Sequence, residues 1–322
     1  MWRFCFFLSL LFFDVSAVKS AESIFLPSQI GVEDSRVFES LSLSPVCSAA
    51  DPNLNYKPVI GILTHPGEGR WDARLHSLKN YAYATNISYI AASYVKLAET
   101  GGARVIPLIY NEPEEILFQK LELVNGVIFT GGWAKTGLYY DVVEKIFNNR
   151  DILERFNSVN YASSLQFFKN VNIEATVFQR FPPELLKKLS ADCLVMQNHY
   201  FGISPDNFQG NPYLSSFFNI VTTSADKDSK TFVSTIRSKR YPVTAFQWHP
   251  EKNAFEWGSS EIPHSEDAIQ VTQHAANYLV SEARKSMNRP SSEKVLSNLI
   301  YNYKPTYSGY KGSGDDEVYI FT

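Results

Sequence analysis

Cysteine is scarce in this chain. Only three occur in 322 residues, and Cys5 sits in the first apolar run, which leaves Cys47 and Cys193 and room for at most one disulfide. A disulfide scaffold is therefore excluded. Positive charge is also limited: 30 Lys and Arg stand against 33 Asp and Glu, and no segment clusters enough cations to track a nucleic-acid backbone. Internal repeats and heptads are missing, which excludes solenoids and coiled coils. No apolar stretch reaches the roughly 20 residues needed to cross a bilayer. What is present is 44% apolar, 14% aromatic and 20% charged, the balance of a soluble globular protein whose partners are small molecules or other proteins.

The chain opens with Arg3, an apolar run from Phe4 to Phe13, and small residues at Ser16, Ala17, Ser20 and Ala21. That is the layout of a secretory signal peptide over residues 1–21, and its removal leaves no membrane segment. Residues 22–56, rich in Ser, Pro and Asp, read as a linker or pro-segment, and residues 57–322 as one folded domain. On the secretory route the sequon Asn86-Ile87-Ser88 becomes a usable glycosylation acceptor at Asn86.

Within the domain, PVIGIL (58–63), RVIPLIY (104–110) and VIFT (127–130) are short continuous apolar runs, as expected of strands covered on both faces. Helices alternate with them. One carries Ile90, Tyr94, Leu97 and Ala98 on a single face and stops at Gly101-Gly102; another opens at Pro113 and carries Leu117, Leu121 and Val124. The fold class is thus α/β, a doubly wound, mostly parallel sheet with flanking helices. Its ligands belong at the carboxyl ends of the strands, where Gly131 and Gly132 fall.

A third helix is expected over Leu138, Val142 and Ile146, but no strand follows it. Asn148-Asn149 interrupts, and DILERF (151–156) resumes helical spacing. A central strand and the helix leaving it are missing from the pattern, where a complete crossover unit takes about 30 residues. Further on, 217–223, 231–238 and 241–249 read as antiparallel strands, a long helix follows Pro263, and EVYIF (317–321) adds an edge strand. Cys193, between a helix over 183–190 and the apolar CLVM, reads as a buried inert thiol. Phe167, Tyr200, Trp248 and Trp257 read as core in preference to a stacking platform.

The sharpest chemical signal is FQWHPE (246–251). A carboxylate two residues after His249, fixed by Pro250 at a strand end, can hold the imidazole in one tautomer for acid and base work. A histidine packed at a sheet end beside a surface Glu251 would look the same.

These residues resemble the His-Glu element of class I glutamine amidotransferase-like proteins. KPVIGIL, YIAASYVKLAETGGARVIPL, NGVIFTGG, NHYFGIS, YPVTAFQWHPEKNAFEW, IPHSEDA and YKPTYSG, in that order, are more narrowly similar to the folate gamma-glutamyl hydrolase family. The resemblance implies cleavage of gamma-linked glutamate from folylpoly-gamma-glutamates by a Cys-His mechanism with no metal or organic cofactor. It implies His249 as general base and acid, Glu251 as its orienting carboxylate, N–H groups around Gly131 and Gly132 as the oxyanion hole, and His199 near the substrate or in a structural role.

The family's nucleophile is a cysteine on a G-x-C-x-G elbow, and this chain contains no such motif. Without a thiolate no acyl-enzyme forms, and loss of one triad member costs orders of magnitude in rate. The expectation is a shortened member, inactive or severely impaired, or else unstable, travelling toward a vacuole, lysosome or the extracellular space. Its small-molecule partner would be a folylpolyglutamate, with a homodimer left open. The alternatives are a non-catalytic folate or polyglutamate binder or regulatory partner, and an amidotransferase partner subunit, which the secretory leader disfavours.

Overall fold

The computed structural model describes residues 51–66, 87–131, 153–309 and 315–322. Strands β1 (Val59–Leu63), β4 (Arg104–Leu108) and β5 (Gly126–Phe129) form a parallel sheet in the order β4-β1-β5, with Ile60 opposite both Val105 and Gly126. Helices α1 (Ala92–Thr100) and α2 (Glu114–Leu121) are the crossovers. This is the expected mixed α/β arrangement, a parallel sheet with flanking helices. β1 is buried at every position but Leu63, which is why its sequence is apolar without alternation. α1 ends where Gly102 takes φ +87°, a conformation that costs glycine nothing.

Among the described residues three antiparallel sheets accompany it. Short β2 (His65–Pro66) and β3 (Ser88–Ala91) join β12 (Thr306–Tyr307) and β13 (Glu317–Phe321) in the order β12-β13-β3-β2. β6 (Glu154–Ser163) pairs with β8 (Val195–Gly202). β7 (Gln166–Phe167), β9 (Phe218–Ala225), β10 (Thr231–Ser238) and β11 (Thr244–Phe246) form the last, in the order β11-β10-β9-β7.

Among the described residues, the α-helices after β5 are α3 (Pro183–Ala191), α4 (Pro205–Gly210), α5 (Pro212–Phe217), α6 (Lys252–Phe255), α7 (Glu266–Arg284) and α8 (Ser292–Asn298). Long α7 starts where the Ser265 hydroxyl accepts from the Ala268 N–H. Its first half, Val271, Ala275 and Tyr278, packs with Trp248, Phe178 and Val195. Its second half, Val280 and Ala283, packs with Ile60, Ile90 and Val105 on the parallel sheet. One amphipathic helix thereby belongs to both apolar clusters.

Four expectations change. Glu154 to Phe156 of DILERF are strand, not helix: Glu154 and Arg155 pair with Gly202 and Phe201, and Phe156 and Ser158 are buried at period two. Tyr89, Ile90 and Ala91 belong to β3 and not to the helix, because β13 pairs with them. β13 is consequently interior in its sheet, between β12 and β3, and not an edge. Asn55, assigned to the linker, is buried, and its backbone N–H donates to the Arg284 carbonyl at 2.7 Å. The leader, the rest of the linker up to Ala50, Asn86, Gly132, the expected helix over 138–146 and Asn148-Asn149 lie outside the described residues.

Candidate functional site

β11 delivers the His249 turn, and neighbouring elements fix that turn by hydrogen bonds. The Gln247 N–H donates to the Ser234 carbonyl of β10 at 2.8 Å, and the His249 N–H to the Met196 carbonyl of β8 at 2.9 Å. Between them Trp248 is buried, with its indole N–H donating to the Thr235 hydroxyl at 2.9 Å. The Pro250 carbonyl accepts from the Thr272 hydroxyl of α7, and the Asn253 amide donates to the Leu194 and Ala268 carbonyls.

On this scaffold His249 Nδ1 stands 2.7 Å from Glu251 Oε1. Glu251 is only 2% exposed. Burial alone would push its carboxyl up, but His249 and the Lys252 ammonium outweigh that and hold it below the ordinary value. An ionised carboxylate only accepts, so the proton lies on Nδ1 and Nε2 is left as the basic nitrogen. The structure brings the two side chains that the sequence singles out into hydrogen-bond contact.

Gly131 follows β5 at its carboxyl end. A Cβ added there would lie 4.0 Å from His249 Cε1 and 3.5 Å from Tyr94 Oη, so this loop borders the imidazole. Its N–H donates to the Tyr94 hydroxyl at 3.2 Å. Tyr94, on α1, has its phenol pushed well up by burial and by the neighbouring Glu251 carboxylate. The sequence shows Tyr94 only as one member of an apolar helical stripe. Its polar tip, which joins Gly131 to the Glu251 environment, has no signature in spacing.

His199 projects from β8, three residues after the carbonyl that anchors His249. Burial and the proximity of His249 push its pKa down to about 4, so it is neutral above that value. Neither ring nitrogen has a partner of ordinary hydrogen-bond geometry among the described residues, and the ring meets Phe232 edge-on at 4.7 Å. The half-buried ring is thus held weakly, by the Phe201 backbone, which opposes the downward shift, and it has capacity for a further polar partner.

Cys193 is exposed, contrary to the expectation of burial, because it lies on the link between α3 and β8, before the buried Leu194 and Val195. The aromatic residues divide. Trp248 is core, and Phe167 is half-buried in the same cluster. Trp257 is 63% exposed and stacks on His264. Tyr200 is also exposed.

Sequence reasoning missed a second polar group beside the site. Glu256 is 1% exposed, and its Oε2 accepts from the Asp316 N–H at 2.6 Å. Burial and the nearby Asp315 push its carboxyl up to about 7 despite the opposing charge of Lys252. Lys252 Nζ in turn lies 3.4 Å from Asp315 Oδ1. Among the described residues no group of three His, Cys, Asp or Glu side chains is arranged to hold a metal ion.

Residues 58–156 match the peptidase C26 family. The whole chain aligns with the whole of a protein from Arabidopsis thaliana named probable gamma-glutamyl hydrolase 3, at 92% identity. Gamma-glutamyl hydrolase 2 of the same plant is 65% identical over 97% of this chain and 94% of its own length. The gamma-glutamyl hydrolase of Homo sapiens is 33% identical over 82% of this chain and 90% of its own length. The first of these alignments runs over 352 positions, which is 30 more than the 322 residues of this chain.

Proposed function

Because this chain belongs to the gamma-glutamyl hydrolase family, we propose that its site accepts folylpoly-gamma-glutamates and that this shortened member turns them over poorly or not at all. The observation that carries the reading is the 2.7 Å contact between His249 and Glu251 in a chain with no G-x-C-x-G elbow. Nε2 of His249 is prepared to take a proton from a nucleophile and return it to the leaving amine, while Glu251 stabilises the imidazolium. The Gly131 N–H would meet the oxyanion developing on the gamma-amide carbonyl, displacing its bond to Tyr94. With no thiolate to attack that carbonyl, the covalent step is lost, and what is left is direct attack by water oriented by His249.

In this reading the extra positions of the 92% identical relative fall at the seam near Asn148-Asn149 and comprise the nucleophile strand and the helix after it. Residues 1–21 act as a cleaved leader that sends the protein to a vacuole, lysosome or the extracellular space, with a glycan at Asn86. Glutamate release from a pteroylpolyglutamate by the purified chain tests the activity, and peptide mapping across Lys145 to Arg155 tests the seam. A rate near that of a full-length relative, or a native peptide carrying an inserted strand, would overturn the reading.

A second reading has one observation in its favour. The ring nitrogens of His199, which make no hydrogen bond of ordinary geometry among the described residues, suit a site that binds a polar ligand without turnover, so the chain would serve as a folate or polyglutamate binder or a partner of an intact subunit. Thermal stabilisation by a polyglutamylated folate, with no glutamate released, supports it.

A further inference from the structure

We propose that the outer edge of β5 is a docking slot for one extended apolar strand running parallel to it, and that the segment this chain lacks can fill the slot when supplied as a separate molecule. The inference rests on the reading that the missing positions lie at the seam.

β5 reads Gly-Val-Ile-Phe, apolar at successive positions, which is the composition of a strand covered on both faces. Its burial contradicts that composition. Every residue of neighbouring β1 except Leu63 is buried, whereas Gly126, Val127 and Ile128 are half-exposed and Phe129 is 68% exposed. Among the described residues β5 pairs with β1 alone. An apolar strand whose outer row of N–H and C=O groups pairs with no described strand is a template for strand addition.

The polarity of the sheet defines the occupant. β4, β1 and β5 all run in one direction, so a strand continuing the sheet lies parallel to β5. Its carboxyl end then emerges beside Gly131, the loop that borders His249. The length is also suitable, because a strand with its crossover helix takes about 30 residues and the 92% identical relative carries 30 positions that this chain lacks. The competing occupant is β5 of a second copy, which would pair edge to edge in a dimer.

The probe is a synthetic peptide copying those 30 positions of the Arabidopsis relative, added to the full purified chain. Expected are saturable binding and slowed amide hydrogen exchange at Val127 to Phe129. Phe129→Lys, at a side chain too exposed to disturb the unbound fold, should weaken binding roughly tenfold. A folded chain whose exchange at 127–129 ignores the peptide overturns the slot, as does binding that Phe129→Lys leaves unchanged. A dimer in sedimentation with these amides already protected gives the slot to a second copy and also overturns the proposal. Peptide mapping that finds the 30 positions already present in the native chain refutes the underlying reading instead.

Discussion

Replacing Glu256 by Gln should change how stability depends on pH while leaving the fold in place. Glutamine keeps an oxygen to accept from the Asp316 N–H but removes the proton equilibrium. Glu256 stands at about 7 in the folded chain against an ordinary 4.5, so between these values the native state holds a proton that the unfolded state has lost. Its stabilisation is complete below about 4.5 and is lost as pH rises through 7, by about 3 kcal/mol. His199 works in the opposite sense. Its pKa moves from 6.5 to about 4, so its contribution is complete above 6.5 and is lost as pH falls toward 4, again by about 3 kcal/mol. The two slopes nearly cancel from pH 4.5 to 6.5, leaving the rise with pH that His274, lowered by burial, adds equally to both proteins. Glu154, Asp226 and Glu251, all lowered, add stability that disappears only at more acid pH and is common to both proteins. Urea denaturation followed by tryptophan fluorescence should therefore find only a shallow rise of the midpoint across that window in the unaltered chain. In Glu256→Gln the midpoint should climb with pH by about 1 M more than in the unaltered chain, taking a slope near 3 kcal/mol/M. Parallel profiles for the two proteins would refute the argument.

Asn253→Ala should cost about 2–4 kcal/mol in the same assay, because it leaves the buried Leu194 and Ala268 carbonyls without their donor. Gly101→Ala should cost about 1–3 kcal/mol and lower the thermal midpoint, since its Cβ would fall 2.6 Å from Val280 Cγ2 and 2.7 Å from the Ala276 carbonyl. The Nδ1 proton of His249, visible by NMR as a downfield resonance held by Glu251, should vanish in Glu251→Ala; its persistence would mean another acceptor holds the ring. Cys193 should react with a thiol reagent in the native protein without prior unfolding, and protection there would contradict its exposure.

The parallel sheet was legible because burial on both faces leaves uninterrupted apolar runs, and VIGIL, RVIPL and GVIF carry them. The His249–Glu251 pair was legible because a single proline holds both residues in one turn. Where the reading went astray, a short pattern fitted two periods. Ile152, Leu153 and Phe156 satisfy helical spacing, while the alternation that decides for β6 passes through Ser158, a polar residue at a fully buried position. The polar role of Tyr94 and the places of Glu256 and Asp315 were not legible. Their roles arise from contacts between segments far apart in the chain, and a buried carboxyl such as Glu256 looks in sequence like any surface charge.

The interior place of β13 bears on how quickly the molecule can assemble. Val318 sits opposite Ala91 and Phe321 opposite Ser88, so the strand that feeds α1 is completed by residues from the other end of the described chain. Closing so long a loop loses entropy before the ladder returns any enthalpy, and a high contact order of this kind slows folding far more than it weakens the folded state. α1 holds Tyr94, and the segment carrying β13 holds Asp315 and Asp316 against Lys252 and Glu256. The surroundings of His249 should therefore be among the last parts of the protein to become ordered during refolding, and among the first to be exposed if β13 detaches.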